Sequence, residues 1–480
     1  MYPASCIVYL GGHLRILFIY PNATNTEYIS YGIAYLSASL KAHGHETGLL
    51  DLTWGRGVRS TQVHRAIDEF APDLVAVGAM SVDYALALEV ARHVKAYRDL
   101  PVLFGGMHAT VAPEAVIAED VVDMLCVGEG EEALADLCDR WDAGQTILDT
   151  SNFWFKRDGT RSGVVIRNSP RPLIQNLDHL PFPDRDLFDF DRYVTALNGQ
   201  LAILATRGCP YNCTYCANNY LRRLYKGQKY VRSRSVDDVL REIEECVDRY
   251  HVRAIDFMDD VFIANKRWIL EFCEAYAARV PLPFRCGARV EYVNDEVCQA
   301  LARAGCTWLF MGIEAGDPAI RRDVMRRAYS DEQVVEAFRI ARAHGLQVAS
   351  FNMIGLPHET RETLHKTVQL NKAVQPDDLR VSIFQPYHGT EIRDLCIAEG
   401  LIDADTPPGD FLESVVRLPD LTARDIEKFR QRFAFHVYWP EQPLKALVYY
   451  LAGMAHAPYA RLRRYLPAPL VQLVSRAFNR

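Results

Sequence analysis

No stretch of this chain is apolar for long enough to span a bilayer, which takes roughly 18–20 residues in a helix. The opening MYPASCIVYLGG has neither the basic front nor the small-residue cleavage site of a secretory leader. A large excess of either charge is also lacking, with 54 Lys and Arg against 61 Asp and Glu. A net charge of −7 over 480 residues offers a phosphate backbone no footing, so no nucleic-acid partner is expected. Short-period repeats and low-complexity tracts are absent, which excludes a solenoid. The 12 cysteines are scattered, mostly in apolar contexts, and do not make the dense framework of a small secreted domain. A reducing, cytoplasmic setting is expected. Cys246 is typical: it adjoins the helical stripe Val236, Val239, Leu240, Ile243 and Val247 and is expected to fill core. The exception is LAILATRGCPYNCTYCANNY, residues 201–220, where Cys209, Cys213 and Cys216 crowd one loop with no fourth cysteine beside them. Structural zinc wants four protein ligands, usually as two separated pairs. A metal cluster with one open coordination site fits better.

What the chain does have is apolar alternation. Its length suggests two to four domains with ample core. Between residues 14 and 140 the runs LRILFIYP, ETGLLDL, DLVAVGAM, PVLFGG and DMLCVGEGE are too short for helices. They are also too continuously apolar for half-exposed strands, which is how buried parallel strands read. Helical segments such as YGIAYLSASLKAHG, stopped at Gly44, and DYALALEVARHVKAYRD lie between them. The pattern predicts an α/β doubly wound, Rossmann-like domain over 13–140.

Residues 141–197 break the rhythm with a hairpin turning at Asp158-Gly159 and the proline-punctuated linker LDHLPFPDRDLFDF, so a domain boundary is expected there. Strands are expected again near 201–206, 253–258, 284–289, 307–313, 347–354 and 379–385. They predict a partial (β/α)6, TIM-like barrel over 198–400, whose chemistry sits on loops after the strand C-terminal ends. The cysteine loop follows the first of these strands directly. A helical region is expected over 401–480.

Cys-x3-Cys-x2-Cys can fold over one face of an iron–sulfur cube, leaving one iron free for a small molecule. Pro210 stiffens its entry and Gly208 gives the backbone room to turn. The loop resembles that of the radical S-adenosylmethionine (SAM) superfamily. That resemblance implies a 4Fe-4S cluster on Cys209, Cys213 and Cys216, with SAM chelated at the fourth iron and cleaved to a 5′-deoxyadenosyl radical. It covers residues 198–400 and places further SAM contacts. Tyr215 takes the aromatic position before the last cysteine, and Asp259 and Asp260 of IDFMDDVF sit where acceptors for the substrate ammonium belong. Arg289 of RCGARVEY suits a carboxylate, and Glu314 of LFMGIEAG suits ribose hydroxyls or the amino group. Gly355 of FNMIGLPHET lies in the adenine motif. In FQPYHGTEI, His388 replaces a common proline, which leaves the role of Tyr387 open.

Upstream, the glycines of FGGMHATVAPEAV and CVGEGEEAL follow the fourth and fifth expected strands. Together the two motifs resemble the cobalamin (B12)-binding-domain-containing class of radical SAM enzymes. The resemblance implies cobalamin contacts from Gly105, Gly106, His108, Gly128, Glu129 and Gly130, with Ser81 near the nucleotide tail. The Asp-x-His-x-x-Gly motif of domains that replace the lower axial base is missing from YPNATNTEYISYG. His108 lies in another loop, so it is expected to hydrogen-bond the corrin periphery or tail rather than ligate cobalt.

The resemblance implies methylation of an unactivated carbon in a small metabolite, natural product or lipid-like substrate, with flavodoxin or ferredoxin as electron donor. Cyclisation or rearrangement with the same cofactors is the alternative, and a non-catalytic cobalamin or redox sensor is a third. The tail 441–480 carries Lys445, Arg461, Arg463, Arg464, Arg476 and Arg480 against one acid, Glu441. Leu444, Val448 and Leu451 share one helical face, and Leu466, Leu470 and Leu473 another. Such a tail either packs across the barrel or lies peripherally on the inner membrane surface with Tyr465 at the interface. Pro467 and Pro469 shorten any helix there, which favours packing.

Overall fold

The computed structural model describes residues 13–55, 57–156 and 164–451. They form two compact units, one of residues 13–195 with 220–229, the other of 196–219 with 230–451. In the first, β1 (Arg15–Tyr20), β2 (Glu46–Asp51), β3 (Leu74–Gly78), β4 (Val102–Gly105) and β5 (Met124–Cys126) are parallel, in the order β2-β1-β3-β4-β5. Ile16, Leu17, Phe18 and Ile19 are all buried, which a strand shows when helices cover both faces of its sheet. The order reverses beside β1, and ligands of such sheets bind at the strand C-terminal ends there. The hairpin strands β6 (Phe153–Lys156) and β7 (Val165–Arg167) extend this sheet, β6 antiparallel to β5 and β7 antiparallel to β6. Its expected Asp158-Gly159 turn lies outside the described residues.

The second unit carries six parallel strands: β8 (Gln200–Ile203), then, beyond the two-stranded ribbon β9 (Thr206–Arg207) and β10 (Arg232–Ser233), β11 (Ala254–Phe257), β12 (Phe284–Ala288), β13 (Cys306–Glu314), β14 (Gln347–Ile354) and β15 (Asp378–Ile383). Their order, β8-β11-β12-β13-β14-β15, is that of a half-barrel and follows the expected strands closely. The helices between them start where the sequence stops them locally. Ser235, Asn265, Asn294, Ser330 and Thr360 each cap a helix by accepting from a backbone N–H in its first turn. Each such cap is worth about 1 kcal/mol. Along β13 the pleat separates two kinds of residue: Leu309, Met311 and Ile313 are fully buried, while Trp308, Phe310 and Gly312 beside them are only partly so.

Cys246 is core filler in the helix Val236–Arg249, as its stripe predicts. Beyond residue 400 the chain is irregular until the helix Ala423–Tyr438, and 443–451 are helical again. There Leu444, Val448 and Leu451 are exposed, but Lys445 turns inward, 3.9 Å from the Tyr438 ring centre. Leu466, Leu470, Leu473, Tyr465, both prolines and the five tail arginines lie outside the described residues. Among the described residues no helix is long and apolar enough to cross a membrane.

Candidate active site and cofactor cradle

The cysteine loop hangs from β8 and is pinned on both sides within its own unit. The Thr214 hydroxyl donates to the Val324 carbonyl at 2.5 Å, and the Ile392 N–H donates to the Thr214 carbonyl at 3.2 Å. The Cys216 N–H turns back onto the Cys213 carbonyl at 3.2 Å. All three thiols are free of disulfides, Cys213 buried and its two partners partly exposed. Burial pushes the Cys209 thiol up to about 11 and raises that of Cys216 as well, so neither is a ready thiolate without a cation beside it. Among the described residues no three His, Cys, Asp or Glu side chains converge on a point that could hold one metal ion.

Arg289, at the end of β12, reaches this loop. Its Nη1 lies 3.4 Å from Cys213 Sγ, its carbon end lies 3.4 Å above the Tyr211 ring centre, and Nη2 pairs with Glu291 at 2.6 Å. Glu314 ends β13 in a left-handed conformation, φ 61°, which a non-glycine residue holds only when its surroundings over-determine it. Arg327 supplies that constraint. Its Nη1 binds Glu314 at 3.1 Å and donates to the Tyr215 hydroxyl at 2.7 Å, while Nη2 donates to the Gly312 carbonyl at 3.2 Å. Burial raises the Glu314 pKa, against the pull of Arg327 and Arg289.

The two adjacent aspartates diverge. Asp259 is buried and turned back on its own scaffold, accepting from the N–H of Ala205 at 3.1 Å and from the hydroxyl of Thr206 at 2.6 Å. Burial lifts it to about 6. Asp260 instead is exposed and hydrogen-bonded by the Asn218 side chain. Gly355 follows β14 at φ 81°, and buried Glu359 accepts from the N–H groups of Gly355 at 2.5 Å and Leu356 at 3.0 Å. Arg327 and Thr206 have no motif-like signature, and their partners are distant in sequence. Glu359 falls inside FNMIGLPHET, and its contacts are local.

In the first unit the expected cradle residues converge at the ends of β3, β4 and β5. The His108 Nδ1 and the Ser81 hydroxyl are 2.9 Å apart, and the His108 ring lies 4.0 Å from that of Tyr84. His108 is buried, and its Nδ1 is the ring nitrogen that meets Ser81. Gly106 sits at φ 90° where a side chain would meet the Ala79 carbonyl at 2.9 Å. Gly128, φ 87°, is tighter still, since a Cβ there would lie 1.8 Å from the Tyr225 hydroxyl. That hydroxyl accepts from the Glu129 N–H at 3.2 Å. The Gly128 N–H in turn donates to Thr110 at 3.0 Å, tying the two glycine loops together. The Glu129 carboxylate accepts from the Ile174 N–H at 3.2 Å, so it braces the loop. Gly105 has nothing within 4 Å of where a Cβ would stand, leaving room for a ligand, and Gly130 packs on Leu36. Asp83, which the sequence did not single out, joins the β1 and β3 loops by accepting from the Ala23 N–H at 2.7 Å.

Two family models match the chain: the radical SAM superfamily over residues 203–370 and the B12 binding domain over residues 22–138. An uncharacterised methyltransferase of Pyrococcus horikoshii is 28% identical over 412 residues, 85% of this chain and 87% of the relative. An anaerobic magnesium-protoporphyrin IX monomethyl ester cyclase of Rubrivivax gelatinosus is 26% identical, covering 78% of this chain and 68% of the cyclase. Among solved structures, the radical SAM methyltransferase TsrM of Kitasatospora setae, with cobalamin and a 4Fe-4S cluster bound, aligns with a TM-score of 0.67. Its identity is 19%, over 82% of this chain and 78% of that one, a likeness of fold.

Proposed function

We propose, for a chain that belongs to the radical SAM superfamily and carries a B12-binding domain ahead of its half-barrel, that it methylates an unactivated carbon of a small molecule. The observation that carries this reading is the trio Cys209, Cys213 and Cys216, disulfide-free on the loop after the first half-barrel strand, with Arg289 against it. When bound, the 4Fe-4S cluster supplies the electron that cleaves SAM, and cobalamin supplies the methyl group. The chain's own residues bind and orient. The three cysteines would hold the cluster, Arg289 would take the SAM carboxylate, Asp260 its ammonium, and Glu314, fixed by Arg327, the ribose. Gly355, with its N–H tied down by Glu359, would leave a flat ledge for the adenine. Gly105, Gly106, Gly128 and Gly130 would let backbone approach the corrin, with Ser81 and His108 on its polar edge.

The test is anaerobic incubation of reduced enzyme with methyl-deuterated SAM, together with a metabolite comparison between a deletion strain and its parent. Deuterated methyl in the missing metabolite, with 5′-deoxyadenosine released, supports methyl transfer. Release of 5′-deoxyadenosine with no label in the product points to cyclisation or rearrangement, and none at all points to a sensor.

Because His108 is engaged by Ser81 and packed on Tyr84, His108→Ala is expected to weaken cobalamin binding modestly and leave the cobalt spectrum unchanged. Nitrogen hyperfine coupling in the Co(II) form that disappears in the variant would overturn this.

An electron donor such as flavodoxin or ferredoxin completes the reading. The tail is read as packing on its own unit, with Lys445 against Tyr438, rather than as lying on a membrane. No co-sedimentation with anionic vesicles at low salt is the expected result; binding that is lost on deleting residues 441–480 supports the membrane alternative.

A further inference from the structure

The inner face of the half-barrel carries a group of side chains that the SAM contacts do not use. Helix-facing positions of its strands are closed: Cys286, Leu309, Met311, Val348 and Ser350 are fully buried. The alternate positions look the other way. There Trp308 and Phe310 of β13 and Phe351 of β14 form a ladder of nearly parallel rings. The Trp308 and Phe310 centres are 6.1 Å apart at 16°, and those of Phe310 and Phe351 are 5.7 Å apart at 21°. Two guanidiniums flank the middle ring: Arg285 of β12 at 5.6 Å and Arg380 of β15 at 6.0 Å. Four strands therefore contribute to one surface. It is open, since Phe351 is 37% exposed, although apolar side chains of that size are usually covered.

The two cations are not equivalent. Arg285 is paired with Asp256 at 2.6 Å, which neutralises it and holds it flat against the ladder. Arg380 meets Asp378 only at 3.9 Å, too long for a hydrogen bond, and Asp378 itself is taken by the Tyr449 hydroxyl. The Arg380 side chain is 60% exposed beside the aromatic face. A ring ladder favours a planar apolar body laid parallel to it. A guanidinium fork at its rim favours a carboxylate at the edge of that body.

We infer that this face binds the acceptor substrate, and that the substrate is a planar, conjugated molecule bearing a carboxylate, its ring system on Trp308, Phe310 and Phe351 and its acid on Arg380. The inference rests on the methyl-transfer reading for its meaning but not for its test. Phe310 and Trp308 lie four and six residues before Glu314 on β13, and the strand register shifts between Gly312 and Glu314, so the ladder occupies the regular part of the strand and Glu314 its bulged end. At about 3.3 Å per residue this separation leaves room for a ligand at each.

The probes are pyrenebutyrate, pyrenebutanol and hexanoate, read on the full-length enzyme by pyrene fluorescence anisotropy, with hexanoate as competitor. Pyrenebutyrate is expected to bind about tenfold more tightly than pyrenebutanol, and hexanoate not to compete, because the ladder supplies the hold and Arg380 the selectivity. Arg380→Gln should remove the preference for the acid and leave pyrenebutanol binding unchanged. Phe310→Leu should weaken both pyrene probes about tenfold. Phe351→Leu, at an exposed position that does not threaten the fold, should weaken both in the same sense. Equal binding of acid and alcohol to the wild type, no response to Arg380→Gln, or displacement of pyrenebutyrate by saturating SAM overturns the inference. Failure of the functional reading looks different: wild-type enzyme that binds pyrenebutyrate as expected yet releases no 5′-deoxyadenosine from SAM.

Discussion

Cys209→Ala, Cys213→Ala and Cys216→Ala, each alone, are expected to strip the iron from the protein and abolish SAM cleavage. A cube held by three thiolates has one iron left for SAM; removing a thiolate opens a second, and the cluster is lost to solvent or oxidant. The remaining cysteines of the half-barrel, such as Cys273, Cys286 and Cys298, are buried elsewhere in the strands and helices. Cys213→Ala also leaves the Arg289 guanidinium without the sulfur 3.4 Å from it, in a buried setting. Anaerobic iron analysis should fall from about four per chain towards zero, with loss of the cluster's broad visible absorption. Cys246→Ala, in the helix Val236–Arg249, should retain both iron and SAM cleavage. Full iron in any of the three loop variants would remove the basis for the cluster.

The next largest effect is expected from Arg327→Met. Arg327 is buried and joins Glu314, the Tyr215 hydroxyl and the Gly312 carbonyl in one hub. Methionine fills much of the same volume and pairs with none of them, leaving a buried carboxylate at the end of β13. Breaking a buried ion pair from one side costs about 3–5 kcal/mol. The thermal unfolding midpoint should therefore fall by roughly 10 °C for a unit of this size. Glu314→Gln in the same chain should recover part of the loss, because the uncompensated charge is then gone. A single variant with an unchanged midpoint, or a double variant no better than the single, contradicts the hub.

What the sequence reveals about this protein depends on distance along the chain. Runs such as DLVAVGAM and LFMGIEAG announce buried parallel strands because covering both faces of a sheet leaves no polar alternation. Cys209, Cys213 and Cys216 are legible because their spacing is local. Asp259 and Asp260 are not separable in sequence, since adjacent residues on an extended chain point to opposite sides. Only the fold tells that the first serves Thr206 and the second faces outward. Arg327 looks like either of the two arginines in VMRRAYS, and its partners lie 13 and 112 residues away. Tyr225 gives no sign in the sequence that it requires a glycine at 128.

The alternation along β13 has a bearing on how such a protein can diversify. Leu309, Met311 and Ile313 answer to the helices, while Trp308 and Phe310 beside them answer to whatever fills the half-barrel. A descendant could exchange its acceptor by editing Trp308, Phe310, Phe351 and Arg380, and leave every helix contact of these strands as it found them. Stability and selectivity would then be inherited separately, interleaved residue by residue on the same few strands.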